Sequence, residues 1–319
     1  MLPSAKRFHR RLLAWYDLHK RDLPWRVDHD PYRVWVSEIM LQQTRVAAVI
    51  EHYHEFLRRF PTVQKLAGAR ESSVLAAWSG LGYYRRARML HAAAKVMVRD
   101  HGGKFPTTTD GLLSLPGIGR YTAAAIGSIA FSEPVAVVDG NVERVLQRIS
   151  GKRMKNGEIW EAANSLLDSD RPGDFNQAMM ELGAVVCAPR APSCLVCPVI
   201  QLCATRGELP ATTKPVPQQK REIHYALHLR EAKILLSQRS RTASLMAGMW
   251  ELPELESMIS GSTPSLTLRH SITVTNYTVK VWPATKSQTL TGKWIAVNRL
   301  HRLALTGLAR KILRKASIL

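Results

Sequence analysis

The sequence predicts a mainly α-helical domain followed by a small α+β domain. Three observations carry this reading. Residues from about 5 to 205 are rich in Ala and Leu at helical spacing, as in "SVLAAWSGLGYYRRARMLHAAAKVMVRD" and "YTAAAIGSIAF". Near 208–220 the text becomes "ELPATTKPVPQQK", with three prolines and few apolar residues, which reads as a linker. Beyond it, "HYALHLR", "KILLSQR", "SITVTNYTVKVW" and "KWIAV" alternate with period two and carry β-branched and aromatic residues, the pattern of strands. A chain of 319 residues is long enough for two such domains.

Within the helical part, punctuation falls at Pro31, Pro61, "HGGKFP" and "SLPGIG". The window "VWVSEIMLQQTRV" holds one carboxylate, Glu38, among Val34, Trp35, Ile39, Leu41 and Val46. Read alone, this spacing suits an amphipathic helix with Glu38 on its wet face. An acid placed there for chemistry is the competing reading. "SLPGIGRYTAAAIGSIAF" sets Gly117 and Gly119 in a tight turn between two helical runs. Its amides would point outward at a helix N-terminus, where a phosphate binds, with Arg120 adding a cation. An ordinary helix–helix turn has the same look. Asp139 follows an apolar run and precedes Gly140-Asn141, so its carboxylate is an N-cap, a site group, or both.

All four cysteines lie in "CAPRAPSCLVCPVIQLC": Cys187, Cys194, Cys197 and Cys203, separated by six, two and five residues. Gathered thiols in a reducing compartment point to a metal site rather than disulfides. Zinc sites usually pair two short Cys-x-x-Cys units, and only one is present; four thiolates also hold a [4Fe–4S] cluster. "RLALTGLARKILRKA" closes the chain as a basic helix, and no internal repeat is visible.

The formal charge is +20 and the pI about 10.2. Residues 213–319 hold 17 Lys/Arg against 5 Asp/Glu, a net of +12, leaving +8 for residues 1–212. Positive charge spread over both parts suits a protein that embraces a polyanion such as duplex nucleic acid. The basic amino terminus is followed by no long apolar stretch, and no run approaches a membrane span, so the expectation is a soluble, cytoplasmic protein without membrane contact.

Together, "LPWR", "DPYRVWVSEIMLQQT", "GLGYYRRAR", "GGKFP", "LPGIGRYTA", "VDGNVERV", "FNQAMMELGA" and the cysteine loop resemble the adenine DNA glycosylases of the helix–hairpin–helix superfamily, in order and spacing. The resemblance covers nearly the whole chain. It implies a helical glycosylase domain over 1–207, with a six-helix core at about 30–138 and an iron–sulfur subdomain from 1–29 and 139–207. A linker at 208–221 and a Nudix-like lesion-recognition domain at 222–319 follow. The implied cofactor is a [4Fe–4S] cluster on the four cysteines. The implied partner is double-stranded DNA carrying adenine opposite 8-oxoguanine or guanine, engaged by a monomer.

The implied roles follow position by position. Glu38 matches the catalytic acid and Asp139 the second carboxylate, with Tyr121 and Asn141 bonded to them. An oxocarbenium-like transition state needs a proton on the leaving base and negative charge beside the sugar. Apolar Val34, Trp35, Ile39 and Met40 would keep Glu38 protonated. Arg26 and Glu181 match an adenine-pocket pair, with Trp25 as pocket wall or core. Leu41, Gln42, Gln43 and Tyr83 match residues at the extruded base and the hole it leaves.

The nearest alternative is an endonuclease III-like glycosylase/lyase, but the lysine its chemistry requires is replaced by Tyr121. A non-catalytic cluster-bearing DNA-binding protein is a further alternative, which intact Glu38 and Asp139 oppose. "LMAGMWELP" resembles the Nudix-type signature, while "ELESMISGSTPSLTLRH" lacks the paired glutamates of a hydrolase. The stretch "LRHSITVTNY" departs from the family's lesion-reading loop: Ile272, Thr273 and Val274 stand where Phe, Ser and His are common. Thr273 and the nearby His270 are the remaining polar candidates. Glu143 also stands where relatives are often basic or neutral, and pairing with Arg144 or Arg148 would mask its charge.

Overall fold

The computed structural model describes residues 2–210, 218–256, 263–272, 274–284 and 290–319. The helices in chain order are α1 (Ala5–His19), α2 (Pro31–Leu41), α3 (Val46–Arg59), α4 (Val63–Ala67), α5 (Glu71–Ala77), α6 (Arg85–His101), α7 (Thr109–Leu113), α8 (Arg120–Phe131), α9 (Gly140–Ser150), α10 (Asn156–Ser165), α11 (Pro172–Val185) and α12 (Gly307–Lys315). None is long and apolar enough to cross a membrane among the described residues. Packing divides the chain into two units, Met1–Gly68 with Met89–Thr212, and Ala69–Arg88 with Thr213–Leu319.

The first unit is helical, and α2 is its most enclosed helix. Asp30 caps it by accepting from the Arg33 amide at 2.8 Å, and Pro31 occupies the first helical turn. Eight of its eleven residues are buried, Glu38 among them. A helix apolar on nearly every side belongs inside a core, so the wet-face reading of Glu38 gives way. Its neighbour α8 buries an unbroken run from Thr122 to Ile129, whose small side chains permit close approach of α2 and α11. A second apolar cluster joins Phe8 and Leu12 of α1 to Val145 and Ile149 of α9 and Phe175 and Leu182 of α11. The helices that carry the site residues are thus fixed from both sides.

α7 and α8 form the hairpin expected from "SLPGIG". Gly117 has φ +75°, and a Cβ there would lie 2.4 Å from Cβ of Met89. Only glycine fits. Gly117→Ala is expected to destabilise the protein by on the order of 2–3 kcal/mol, from left-handed strain and the clash together, read as a shifted urea midpoint at unchanged slope. Gly119 differs: its φ is −95° and nothing lies within 4 Å of a Cβ built there.

The second unit contains two sheets. One has the order β5 (Glu254–Leu255), β1 (Gln219–Leu227), β7 (Thr275–Pro283) and β6 (Leu266–Ile272), with β1 and β7 parallel and β6 and β7 antiparallel. The other runs β2 (Leu229–Arg230), β3 (Lys233–Gln238) and β4 (Trp250–Glu251), with β8 (Lys293–Ala296) also on β3. Thr306 caps α12, whose Leu308, Ala309, Ile312 and Leu313 pack into the core of this unit. Two differences from the sequence reading stand out. "SITVTNYTVKVW" contains a hairpin, with Ile272 opposite Thr275, where alternation alone suggested one strand; no Gly, Pro or Asn-Gly marks the turn. Residues 69–88 group with the C-terminal chain rather than with the rest of 1–207.

Candidate active site

A cleft of about 640 Å³ opens in the first unit. Trp25, Arg26, Glu38, Leu41, Gln42, Gln43, Tyr121, Asp139, Asn141 and Glu181 all line it. Ten of the residues singled out in the sequence therefore meet in one place, drawn from five separate stretches of chain.

Glu38 is 5% exposed and accepts a 2.5 Å hydrogen bond from the Tyr121 hydroxyl. Burial pushes its carboxyl up to about 7; the Tyr121 bond and Arg26 draw it down, and the Asp139 charge adds to the rise. Tyr121 itself is held well above the usual phenol range, first by burial and then by the two carboxylates, so it stays a donor. Raised folded-state affinity for a proton means stability is greatest below the unfolded value of 4.5 and falls as pH rises through about 7. Removing the ionisable group should abolish that loss. Glu38→Gln is thus expected to exceed the wild type in stability above pH 8, by on the order of 3 kcal/mol relative to the comparison at pH 4. Unfolding curves at the two pH values check it.

Asp139 caps a helix and also borders the cleft. It is the N-cap of α9: Oδ1 accepts from the amides of Asn141 at 2.8 Å and Val142 at 2.7 Å, and Oδ2 from the Asn141 side chain at 2.9 Å. Three donors fix the carboxylate at the helix's positive end while it still borders the cleft. The Asn141 side-chain Oδ1 accepts in turn from Arg144 at 2.8 Å, which also donates to the backbone carbonyls of Gly183 at 2.6 Å and Cys187 at 2.8 Å. Glu143 pairs with neither Arg144 nor Arg148 in a salt bridge: it accepts from Gln147 at 2.9 Å, while both arginines turn to the cysteine loop.

Glu181 is 1% exposed and bonded to two arginines, Arg21 at 2.6 and 2.8 Å and Arg26 at 2.9 Å. Burial pushes its carboxyl up, but the two guanidiniums outweigh this and hold it below the usual range. Arg21 escaped sequence reading; its sole hint was a second arginine just before "DLPWR". Trp25 is both wall and core, buried edge-to-face against Tyr53 at 5.5 Å while lining the cleft. Gln42 reaches Thr122 at 3.3 Å, and Gln43 takes a left-handed φ of 54° at the end of α2. No lysine lines the cleft. At the hairpin, the Arg120 guanidinium stacks 3.8 Å above the Trp160 ring, a cation–π contact that competes with its expected attraction for phosphate.

Tyr83 and His270 belong to the second unit. Tyr83 is 52% exposed with φ 45°. His270 pairs opposite Tyr277 in the β6–β7 hairpin, and burial, then Lys311, holds it below the usual histidine range. Thr273 lies outside the described residues.

The four cysteines line a small cavity with Val186, Pro192, Ile200 and Arg148. Among the described residues no three such side chains converge on a single metal ion. Four thiols lining one cavity are a donor set that suits a metal centre, zinc and a [4Fe–4S] cluster alike. Burial pushes the Cys197 thiol up to about 11, a cost that bound metal reverses by favouring thiolate. Arg148 donates to Sγ of Cys187 at 3.3 Å and to the carbonyls of Ala188 at 2.7 Å and Pro189 at 2.9 Å, so cationic charge already faces the site.

Comparison with known proteins agrees with this arrangement. The family described as HhH-GPD superfamily base excision DNA repair protein matches residues 36–167. Adenine DNA glycosylase of Rattus norvegicus is 50% identical over 217 residues, covering 63% of this chain and 42% of the relative. That of Arabidopsis thaliana is 39% identical over 313 residues, covering 82% of this chain and 49% of the relative. The chain therefore spans about half the length of these curated relatives. Among solved structures, a thermostable thymine-DNA glycosylase is 32% identical, with a TM-score of 0.60, over 64% of this chain and 96% of that one. A trapped endonuclease III–DNA covalent intermediate, 22% identical with a TM-score of 0.56 over 65% of this chain and 98% of that one, shares the fold. With a helix–hairpin–helix in place and a 32%-identical glycosylase covered almost end to end, the chain belongs to the HhH-GPD superfamily of base excision DNA repair proteins.

Proposed function

We propose that the protein excises adenine mispaired with 8-oxoguanine or guanine in duplex DNA, as a monofunctional glycosylase. The observation that carries this reading is Glu38, buried beside Asp139 in a cleft that no lysine lines, where burial pushes its carboxyl up to about 7. The curated relatives' names supply the base.

The chemistry divides between the two carboxylates. Glu38 gives its proton to N7 of the extruded adenine, so that the C1′–N9 bonding pair leaves with a neutral base. The deoxyribose becomes an oxocarbenium ion, and the Asp139 carboxylate, oriented by three donors, faces that charge. Glu38, now a carboxylate, takes a proton from the water that adds to C1′, which returns the acid to its starting state. Tyr121 holds the carboxyl in place throughout. Glu181, with Arg21 and Arg26, offers the purine a rigid polar edge. A lyase would need an amine at the sugar, and Tyr121 occupies the relevant position without one.

The open space at Gly119 leaves the hairpin amides accessible to a phosphate. Cys187, Cys194, Cys197 and Cys203 would hold a [4Fe–4S] cluster, which when bound cross-links the loop through four thiolates and stands apart from bond breaking. The C-terminal unit, with its net positive chain, is read as the lesion-recognition module, with His270 on its β6–β7 hairpin and Thr273, outside the described residues, as the second polar candidate.

Single-turnover release from 8-oxoguanine:A, G:A and G:T duplexes, with protein in excess, tests the reading. Release of adenine from the first two and no thymine from the third supports it. Thymine release, or strand cleavage accompanying base release, contradicts it. Faster release opposite 8-oxoguanine than opposite guanine would assign lesion reading to this chain despite its altered loop.

A further inference from the structure

We propose that Ser79 and Tyr84 are positioning residues that mount the Tyr83 wedge on the C-terminal part of the chain, through the backbone carbonyl of Leu305. The inference rests on the reading of Tyr83 as a residue that enters the duplex.

Tyr83 is a costly thing to present. It is a large aromatic, half exposed, in a left-handed conformation with φ 45°, and it follows Gly80 at φ 114° and Gly82 at φ 68°. A non-glycine residue held in that region stores strain and persists only where its surroundings over-determine it. The surroundings here come from two sources. Arg86 grips the loop from within: its amide bonds the Tyr83 carbonyl at 2.9 Å, its guanidinium donates to the carbonyls of Leu81 at 3.2 Å and Gly82 at 3.4 Å, and it lies over the rings of Trp78 and Tyr83, each at 5.5 Å.

The second source lies more than 220 residues away in sequence. The hydroxyls of Ser79 and Tyr84 bracket the loop, both are buried, and both donate to the same Leu305 carbonyl at 2.9 Å. One carbonyl has two lone pairs, and both are used. Arg310 of α12 adds a 3.0 Å bond to Ser79 Oγ, and Arg88 donates to the carbonyl of Ala247. Leu305 is itself fixed: Trp250 of β4 bonds the carbonyl of Ala304 and accepts from the Thr306 amide, each at 2.9 Å. Thus the loop that carries Tyr83 is a fitted part of the unit that carries the β6–β7 hairpin. Engagement of the hairpin and insertion of Tyr83 then act as one rigid event rather than two.

The test is a mutant cycle on the full-length, cluster-loaded protein. Ser79→Ala/Tyr84→Phe is combined with Tyr83→Ala, and unstacking is read from 2-aminopurine placed beside the mismatch in a duplex. Adenine release, followed in the same samples, reports separately on the proposed function, because the unstacking comparison is read whether or not adenine leaves. The expected result is that Ser79→Ala/Tyr84→Phe slows unstacking about tenfold when Tyr83 is present and has no effect in the Tyr83→Ala background. The Phe ring keeps the packing of Tyr84, so a general loss of stability is not the expected cause. An equal slowing in both backgrounds, which a merely structural role produces, or none in either, overturns the inference. Arg86→Lys is expected to show the same dependence on Tyr83.

Discussion

Glu38→Gln is expected to slow adenine release by about 10³-fold or more while leaving affinity for a mismatched duplex within about twofold, since a positioned general acid supplies about 10²–10⁴ in rate. The amide keeps the size of the side chain and still accepts from Tyr121, so the cleft should survive. What it lacks is an acidic proton. Glu38 is 5% exposed, with Val34, Trp35, Ile39 and Met40 buried on the same helix. In water a carboxyl is ionised at neutral pH and has nothing to give; here burial moves it to about 7, where acid and base forms are both accessible in one turnover. Single-turnover rates and equilibrium binding, measured on the same duplex, separate the two effects. Weakened binding with an unchanged chemical step would assign Glu38 to recognition instead.

Cys197→Ser is expected to yield a colourless protein destabilised by more than about 4 kcal/mol, because a ligand lost from a structural metal centre removes folding energy directly. The consequence should spread beyond the loop. Arg144 joins the Cys187 carbonyl to the Asn141 side chain, and Asn141 joins Arg144 to Asp139. Arg148 fastens the Ala188 and Pro189 carbonyls to α9, the helix that Asp139 caps. If the loop unfolds, the Asp139 carboxylate loses part of the frame that orients it, so residual adenine release from any folded fraction should fall as well. Absorbance of the purified protein and a thermal melt give the result. A colourless variant that melts with the wild type would remove the cluster from this account.

Local features were legible where the chemistry is local. The cap at Asp139 is written in "VDGN", because a short acid just before a helix can accept from the amides two and three residues further on. The hairpin is written in "LPGIG", where Gly117 takes a conformation that other residues avoid. Glu38 was ambiguous for a physical reason: spacing on α2 cannot distinguish a wet face from a face turned into a second layer. Burial of the helix on nearly every side resolved it.

Long-range pairings were illegible for the opposite reason. Arg21 meets Glu181 across 160 residues, and Ser79 meets Leu305 across 226. Such bonds leave no periodicity, since neither partner constrains its sequence neighbours. The β6–β7 hairpin was hidden by β-branched residues on both sides of the reversal, and Thr273 lies outside the described residues.

The most direct measurement is the pH dependence of single-turnover adenine release from an 8-oxoguanine:A duplex between pH 5 and 9. With Glu38 as the proton donor, the rate should hold at low pH, bend near the carboxyl's value of about 7, and fall tenfold per unit above it. A rate that stays level to pH 9, or that climbs with pH, would mean that the proton reaches the base from somewhere other than Glu38.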